Sequence, residues 1–269
     1  MKRAASDRRP FVEAGQNRTL CLHPSAMRAT YTQKKINPNC VAAGVGLVYV
    51  DGPLSAKPDF WFDDYECILD RYRDAIYSDE THCVLLKIDS PGGDAAGLNE
   101  LVRAMKRCKE ETGKPVYVFA DEGAYSAAYA IACAADEIYL PEPGGLGSVG
   151  VISVIESQVR LLDKIGIDLE VVTSGKFKAD GNPETPITDQ AVEHVRRRVM
   201  GLARLYWRLV ADSRPMSFAA VRAMQADTYY GSEAVGVGLA DGIMSLDEVV
   251  RYAAQARTMQ PKRARKKTA

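Results

Sequence analysis

The stretch Cys83–Asp94, CVLLKIDSPGGD, decides the fold. Its first half is dominated by apolar residues, the pattern of a strand covered on both faces of a sheet, and it breaks abruptly into a Pro-Gly-Gly loop. Downstream, Leu98, Leu101, Val102, Met105 and Cys108 recur at helical spacing, and KPVYVFAD (114–121) reads as a second buried strand. Upstream, Tyr65, Ile68, Leu69, Tyr72 and Ile76 mark one face of a helix. Before it, Val45, Leu47, Val48 and Val50 suit a strand that Gly52-Pro53 ends. Strands and helices in alternation predict an α/β fold with a mostly parallel sheet joined by right-handed crossovers. In such sheets sites assemble at the carboxyl ends of strands, where both DSPGGD (89–94) and DEGAYS (121–126) fall, so the two loops are expected to be neighbours.

Further along, GIDLEVVTSGKFKADGNPETPIT (166–188) reads as a short strand followed by a loop rich in glycine and proline. DQAVEHVRRRVMGLARLYWRLVADSR (189–214) reads as a long helix. Its stripe of Val192, Val195, Val199, Leu202, Tyr206 and Leu209 would pack on the domain body or on a second subunit. Residues 216–243 suggest short helices with glycine turns, and SLDEVVRYAAQA (245–256) a capped helix. The expected organisation is a basic, partly disordered extension over 1–42, one domain over 43–255 and a basic tail over 256–269.

At 269 residues the chain is long enough for a sizeable core, and its apolar (46%) and charged (26%) fractions are ordinary globular values. A net charge of zero conceals segregation: residues 1–40 carry eight Lys/Arg against Asp7 and Glu13, and the last thirteen add six Lys/Arg and no acid. The body between is therefore acidic. The basic ends suit solvated tails or contact with nucleic acid or an acidic partner. Six cysteines without a CxxC pair read as reduced core residues, not a disulfide frame. Three scattered histidines give a metal site no local support, so neither metal nor cofactor is expected. The N-terminus lacks the apolar segment of a signal peptide, and no run of about eighteen apolar residues suggests a membrane span, so a cytoplasmic, membrane-free protein is expected.

Ser126 stands where a strand turns into an alanine-rich segment. A serine there either caps the helix or, exposed by the bend, serves as a nucleophile. The glycines of SPGGD offer backbone N–H groups that could face a developing oxyanion, or simply make a tight turn. A proton acceptor is harder to find. His23 lies in the extension, His82 precedes a strand at the far edge, and His194 sits among helical arginines on what reads as a solvated face. A lysine would serve if burial lowered its pKa from about 10.4 toward neutrality. SGKFKAD (174–180) offers Lys176 and Lys178.

Taken together, DSPGG (89–93), AYSAAYAIACAADEIYLPEPGGLGSVGV (124–151), SGKFKAD and YYGSEAVGVGLADGI (229–243) resemble the signal peptide peptidase family of Ser-Lys serine proteases. More closely, they resemble its bacteriophage branch of head maturation proteases. The resemblance implies Ser126 as nucleophile, Lys178 as general base with Lys176 as competitor, and the amides of Gly93 and Ala127 as oxyanion hole. It also implies a crotonase-like or Clp-protease-like fold of stacked ββα units, homo-oligomeric assembly, and scaffold, capsid or portal proteins as substrates within a host cytoplasm or procapsid. Many relatives carry glycines where this chain has Ala127 and Ala128. Three other readings compete: a Clp-type protease, which needs a histidine about one strand beyond the serine where GSVGVISV (147–154) has none; a crotonase-like acyl-CoA enzyme using Glu122 or Glu142; and a non-catalytic capsid assembly protein.

Overall fold

The structure is a computed structural model that describes residues 19–22, 40–59 and 61–259. In chain order these form β1 (Thr19–Leu22), β2 (Cys40–Ala42), β3 (Val45–Asp51), β4 (Leu54–Ser55), β5 (Asp63–Asp64), α1 (Tyr65–Tyr77), β6 (Cys83–Ser90), β7 (Gly92–Asp94), α2 (Leu98–Thr112), β8 (Val116–Tyr125) and α3 (Ala127–Ala132). There follow β9 (Glu137–Leu140), β10 (Gly145–Gly147), β11 (Ile152–Ser153), α4 (Val159–Lys164), α5 (Asp189–Ser213), α6 (Phe218–Ala223), β12 (Thr228–Tyr230), α7 (Gly231–Gly236), β13 (Gly242–Ile243) and α8 (Leu246–Met259). They divide into two compact units: a smaller one of Val151–Leu202 with the chain up to Leu20, and a larger one of Cys21–Gly150 and Ala203 onward.

The larger unit is built on β6, whose apolar run is buried on both sides as its composition requires. It pairs in parallel with β3 on one edge and β8 on the other, and the sheet reads β12-β10-β8-β6-β3-β2, with β9 also on β8 and β13 on β9. Its centre is parallel, and its two ends, β2 on β3 and β12 on β10, are antiparallel. The fold is thus α/β with a mostly parallel sheet. One face carries Val45, Cys83, Leu85, Tyr117, Phe119 and Tyr139 against Val249 and Ala253 of α8. On β6 the alternate residues Val84, Leu86 and Ile88 are fully buried as well, and α1 and α3 pack against this strand.

Helix α1 starts where Asp64 caps it, its Oδ1 accepting from the amides of Glu66 and Cys67 at 3.1 and 2.9 Å. Helix α2 ends at Gly113, whose φ of +65° and N–H to the Lys109 carbonyl make a left-handed stop. At the head of α8 the Glu248 carboxylate reaches back to the Ser245 amide at 2.8 Å, closing the expected cap. That helix runs to Met259, past the boundary set at 255. The cysteine expectation needs one correction: Cys83, Cys108 and Cys133 are buried free thiols, but Cys67 is exposed, because its place on α1 lies off the buried stripe.

In the smaller unit β1 pairs antiparallel with β11, and α4 and the first half of α5 follow. The strand expected after Gly166 is not formed. Ile167, Leu169 and Val172 stand 46%, 52% and 89% exposed; a strand forms only where a neighbouring backbone accepts its N–H groups, and apolar composition alone does not supply one. On α5 the fully buried positions are Ala191, Ala203, Tyr206 and Val210, while most of the predicted stripe is half-buried. The basic extension, apart from β1 and β2, and the tail beyond Met259 lie outside the described residues.

Candidate active site

The register of β6 on β8 brings the two glycine loops together. Pairing runs Ile88↔Ala120 and then jumps to Ser90↔Ala124, a bulge that absorbs residues 121–123 and sets the end of β6 beside the residues just before Ser126. At the last residue of β6, the Ser90 hydroxyl donates to the Gly52 carbonyl at 2.6 Å and accepts from the Gly92 amide at 3.1 Å, bending the chain into β7. A Cβ at position 93 would lie 1.9 Å from the Leu54 carbonyl oxygen, so β7 can lie along β4 only with glycine there. Helix α3 packs against β7, which puts Gly93 and Ala127 in one neighbourhood of the larger unit.

Ser126 is at the N-cap of α3 yet does not cap it: no side-chain hydrogen bond to the helix is made. Its backbone adopts φ 53°, ψ −120°, a combination outside the ordinary regions for a residue with a side chain, and its hydroxyl is buried with no hydrogen-bond partner among the described residues. Each feature is costly, about 1–3 kcal/mol for the strained backbone and a similar amount for the orphaned hydroxyl. The surroundings impose both. The Ser126 amide donates to the Gly147 carbonyl at 2.8 Å, its carbonyl accepts from Ala130 at 3.1 Å, and the Tyr206 hydroxyl donates to that same carbonyl. Ala127 and Ala128 are fully buried, as are the remaining residues of α3. As first residue of the helix, Ala127 has an N–H without an intrahelical acceptor, the kind of donor an oxyanion needs.

Glycine recurs around this turn because the neighbours leave no room. A Cβ at Gly147 would meet the Asp227 carbonyl oxygen at 2.5 Å, and Cβ atoms at Gly123 and Gly145 would fall 2.3 and 2.1 Å from the Tyr125 side chain. Burial first, then the hydroxyl of Tyr230, pushes the Tyr125 phenol well above its ordinary pKa, so it keeps its proton. Cys133, the nearby thiol, is pushed up to about 12 by burial and is no rival nucleophile.

Two lysines of the larger unit fail as bases. Burial pulls Lys87 down, but the ion pair with Asp121 outweighs it and the pKa is raised, opposite to what a base requires. Burial lowers Lys114, but it precedes the start of β8, roughly 30 Å of strand away from Ser126. Glu122 and Glu142 are exposed. Lys176 and Lys178 belong to the smaller unit, and both are exposed in the single chain. Their segment is a series of turns in which the Lys178 amide donates to the Gly175 carbonyl at 3.0 Å and Asn182 to Ala179 at 3.0 Å.

His82 stays at the edge expected of it, its amide on Gly44 and its Nε2 buried without a partner among the described residues. His194 departs from expectation: it is half-buried, and its Nδ1 lies 2.8 Å from Asp180. Two residues that hold the Ser126 backbone, Tyr206 and Gly147, are not signalled as such by the sequence. Tyr206 was legible only as one member of an apolar stripe, and nothing in its neighbours signals that its hydroxyl points to Ser126.

The family model described as Peptidase family S49 matches residues 108–260, more than half of the chain and inclusive of Ser126 and both lysines. The chain belongs to peptidase family S49. Among curated relatives, it is similar to the head-tail preconnector protein GP5 of Enterobacteria phage P21, 27% identical over 221 residues, covering 80% of this chain and 44% of that protein. It is also similar to the capsid assembly protease C of Escherichia phage lambda, 28% identical over 215 residues, with 78% and 48% covered. The chain thus spans about half the length of these curated relatives. A solved structure of a ClpP1 mutant from Listeria monocytogenes aligns with 75% of the chain and 92% of its own at 13% identity and a TM-score of 0.45. Among the described residues no helix is long and apolar enough to cross a membrane, and no group of three or more His, Cys, Asp or Glu could hold a metal ion.

Proposed function

We propose that the chain is a serine endopeptidase that processes protein partners during assembly of a phage head, with Ser126 as nucleophile and Lys178 as general base. The observation that carries this reading is the Ser126 hydroxyl, held buried and unpartnered on a strained turn at the carboxyl end of a strand. Stability alone would select against such a residue; a nucleophile that must meet a substrate carbonyl explains it. The phage setting is supported by the relative named capsid assembly protease C.

In this mechanism the neutral amine of Lys178 takes the Ser126 proton as Oγ attacks the scissile carbonyl. The amides of Gly93 and Ala127 receive the oxyanion, and the ammonium returns its proton to the leaving amine. Water, deprotonated by the same amine, then releases the acyl group and frees Ser126. A lysine exposed in the single chain has to lose water to act this way, so substrate or a second copy of the chain covers Lys178 at the moment of reaction. Scaffold, capsid or portal proteins presented as extended segments are the substrates this reading favours, in the host cytoplasm or procapsid. No cofactor takes part. Contact of the basic ends with nucleic acid concerns residues outside those described.

The test is co-expression of the parent or Ser126→Ala with the scaffold and capsid proteins of the same genome, followed by mass analysis of the products. Cleavage confined to the parent is expected; equal cleavage by both would remove Ser126 from the mechanism.

A further inference from the structure

The segment bearing Lys178 is fastened to one stripe of α5. Gln190, His194 and Arg197 follow one another at spacings of four and three, hence on one face of the helix. Each engages residues 176–180. Gln190 donates to the Lys176 carbonyl at 3.4 Å and reaches Asp180 Oδ1 at 3.5 Å. His194 Nδ1 lies 2.8 Å from Asp180 Oδ2, a side chain only 9% exposed. The His194 ring also packs on Phe177, centroids 4.8 Å apart, and the Arg197 guanidinium lies 5.9 Å from the same ring. Lys178 lies between the two anchored residues, Phe177 and Asp180, in a stretch that no strand or helix holds.

We infer that His194 and Asp180 form a clasp that positions Lys178 for catalysis, with His194 as a positioning residue and not as the base. The inference rests on the Ser126–Lys178 reading and extends it to the residues that orient the amine. Two features argue for a clasp in place of an incidental surface pair. The contact closes a turn fourteen residues from its partner in sequence, and the carboxylate it uses is largely withdrawn from water, where a hydrogen bond is stronger than at the surface. Without the clasp the turns from Gly175 to Asn182 keep mainly short local bonds, and Lys178 samples many positions. A displacement of about 1 Å is enough to slow a reaction about a hundredfold.

The experiment uses the full chain and two readouts: the rate at which a fluorophosphonate labels Ser126, and amide hydrogen exchange over residues 174–182. His194→Ala is expected to label about tenfold or more slowly and to exchange faster in this segment. His194→Asn, which keeps a donor near the Nδ1 place but has no group able to take a proton, is expected to recover labelling to within about threefold of the parent. Asp180→Asn combined with His194→Ala should cost little more than either alone. Parental rates and exchange in His194→Ala would overturn the clasp while leaving the dyad intact. An inactive His194→Asn with parental exchange would make His194 the base and overturn the positioning role. Labelling of Ser126 that survives Lys178→Ala would overturn the dyad reading, and the clasp's catalytic role with it.

Discussion

The turn that carries Ser126 and the turn that carries Lys178 are held by different means. Around Ser126 the backbone does most of the holding, with one side-chain hydroxyl, that of Tyr206, added: a central parallel sheet, a bulge, the Gly147 carbonyl, the Ala130 amide, and glycines at 93 and 147 whose replacement would drive a Cβ into main chain. Around Lys178 side chains do it, from one face of α5, and the neighbouring Ile167, Leu169 and Val172 remain exposed. A backbone-held turn can store strain, since the sheet over-determines it. A side-chain-held turn cannot, but it can be re-aimed by a partner at small cost. On the proposed dyad, the difference suits a rigid nucleophile served by a base that becomes competent only when covered.

Removing either proposed reacting group tests the comparison most severely. Ser126→Ala and Lys178→Arg should each lower peptide cleavage about 10⁴-fold or more, the first because no nucleophile remains, the second because arginine keeps its proton at workable pH. Their stabilities should diverge from their activities. Ser126→Ala removes a buried unpartnered hydroxyl, so urea unfolding should show stability unchanged or increased by about 1 kcal/mol, whereas a loss of more than about 2 kcal/mol would mean that the hydroxyl is structurally bonded.

Next in size, Gly93→Ala should lower cleavage about 10²-fold or more and destabilise the larger unit, because the new methyl collides with the Leu54 carbonyl and moves the β7 amides. Circular dichroism melting and a cleavage assay read both effects. Tyr206→Phe removes the donor to the Ser126 carbonyl; labelling should slow about tenfold, and unfolding should ease by about 1 kcal/mol.

The smallest effect is a control remote from both turns. The Ser245 amide and hydroxyl hold the Glu248 carboxyl below its ordinary 4.5, so the cap supports α8 fully above that value and is lost as pH falls through the lowered one. Melting temperature between about pH 6 and pH 3 should fall slightly less in Glu248→Gln than in the parent, and at any one fixed pH the two should label Ser126 at the same rate.

The same contrast explains what could be read from the residues alone. Strands β3, β6 and β8 and helices α1 and α2 announce themselves by burial periodicity, and burial is what holds them, so the place of the Ser126 turn at their ends was legible together with its glycine loop. The residues after Gly166 are as apolar as a strand, but among the described residues no neighbouring strand takes up their backbone, and composition does not reveal that. His194 was misread as solvated because its partner, Asp180, is chosen by the path of a loop and not by helical spacing. Tyr206 hides for a related reason: its ring satisfies the apolar stripe while its hydroxyl bonds the Ser126 backbone.

The most direct measurement is covalent: treat the parent and Lys178→Ala with a fluorophosphonate, and locate the adduct by peptide mass mapping. The account predicts an adduct on Ser126 in the parent and almost none in the variant. An adduct on another residue, or one formed on Ser126 at equal rate without the lysine, would contradict it.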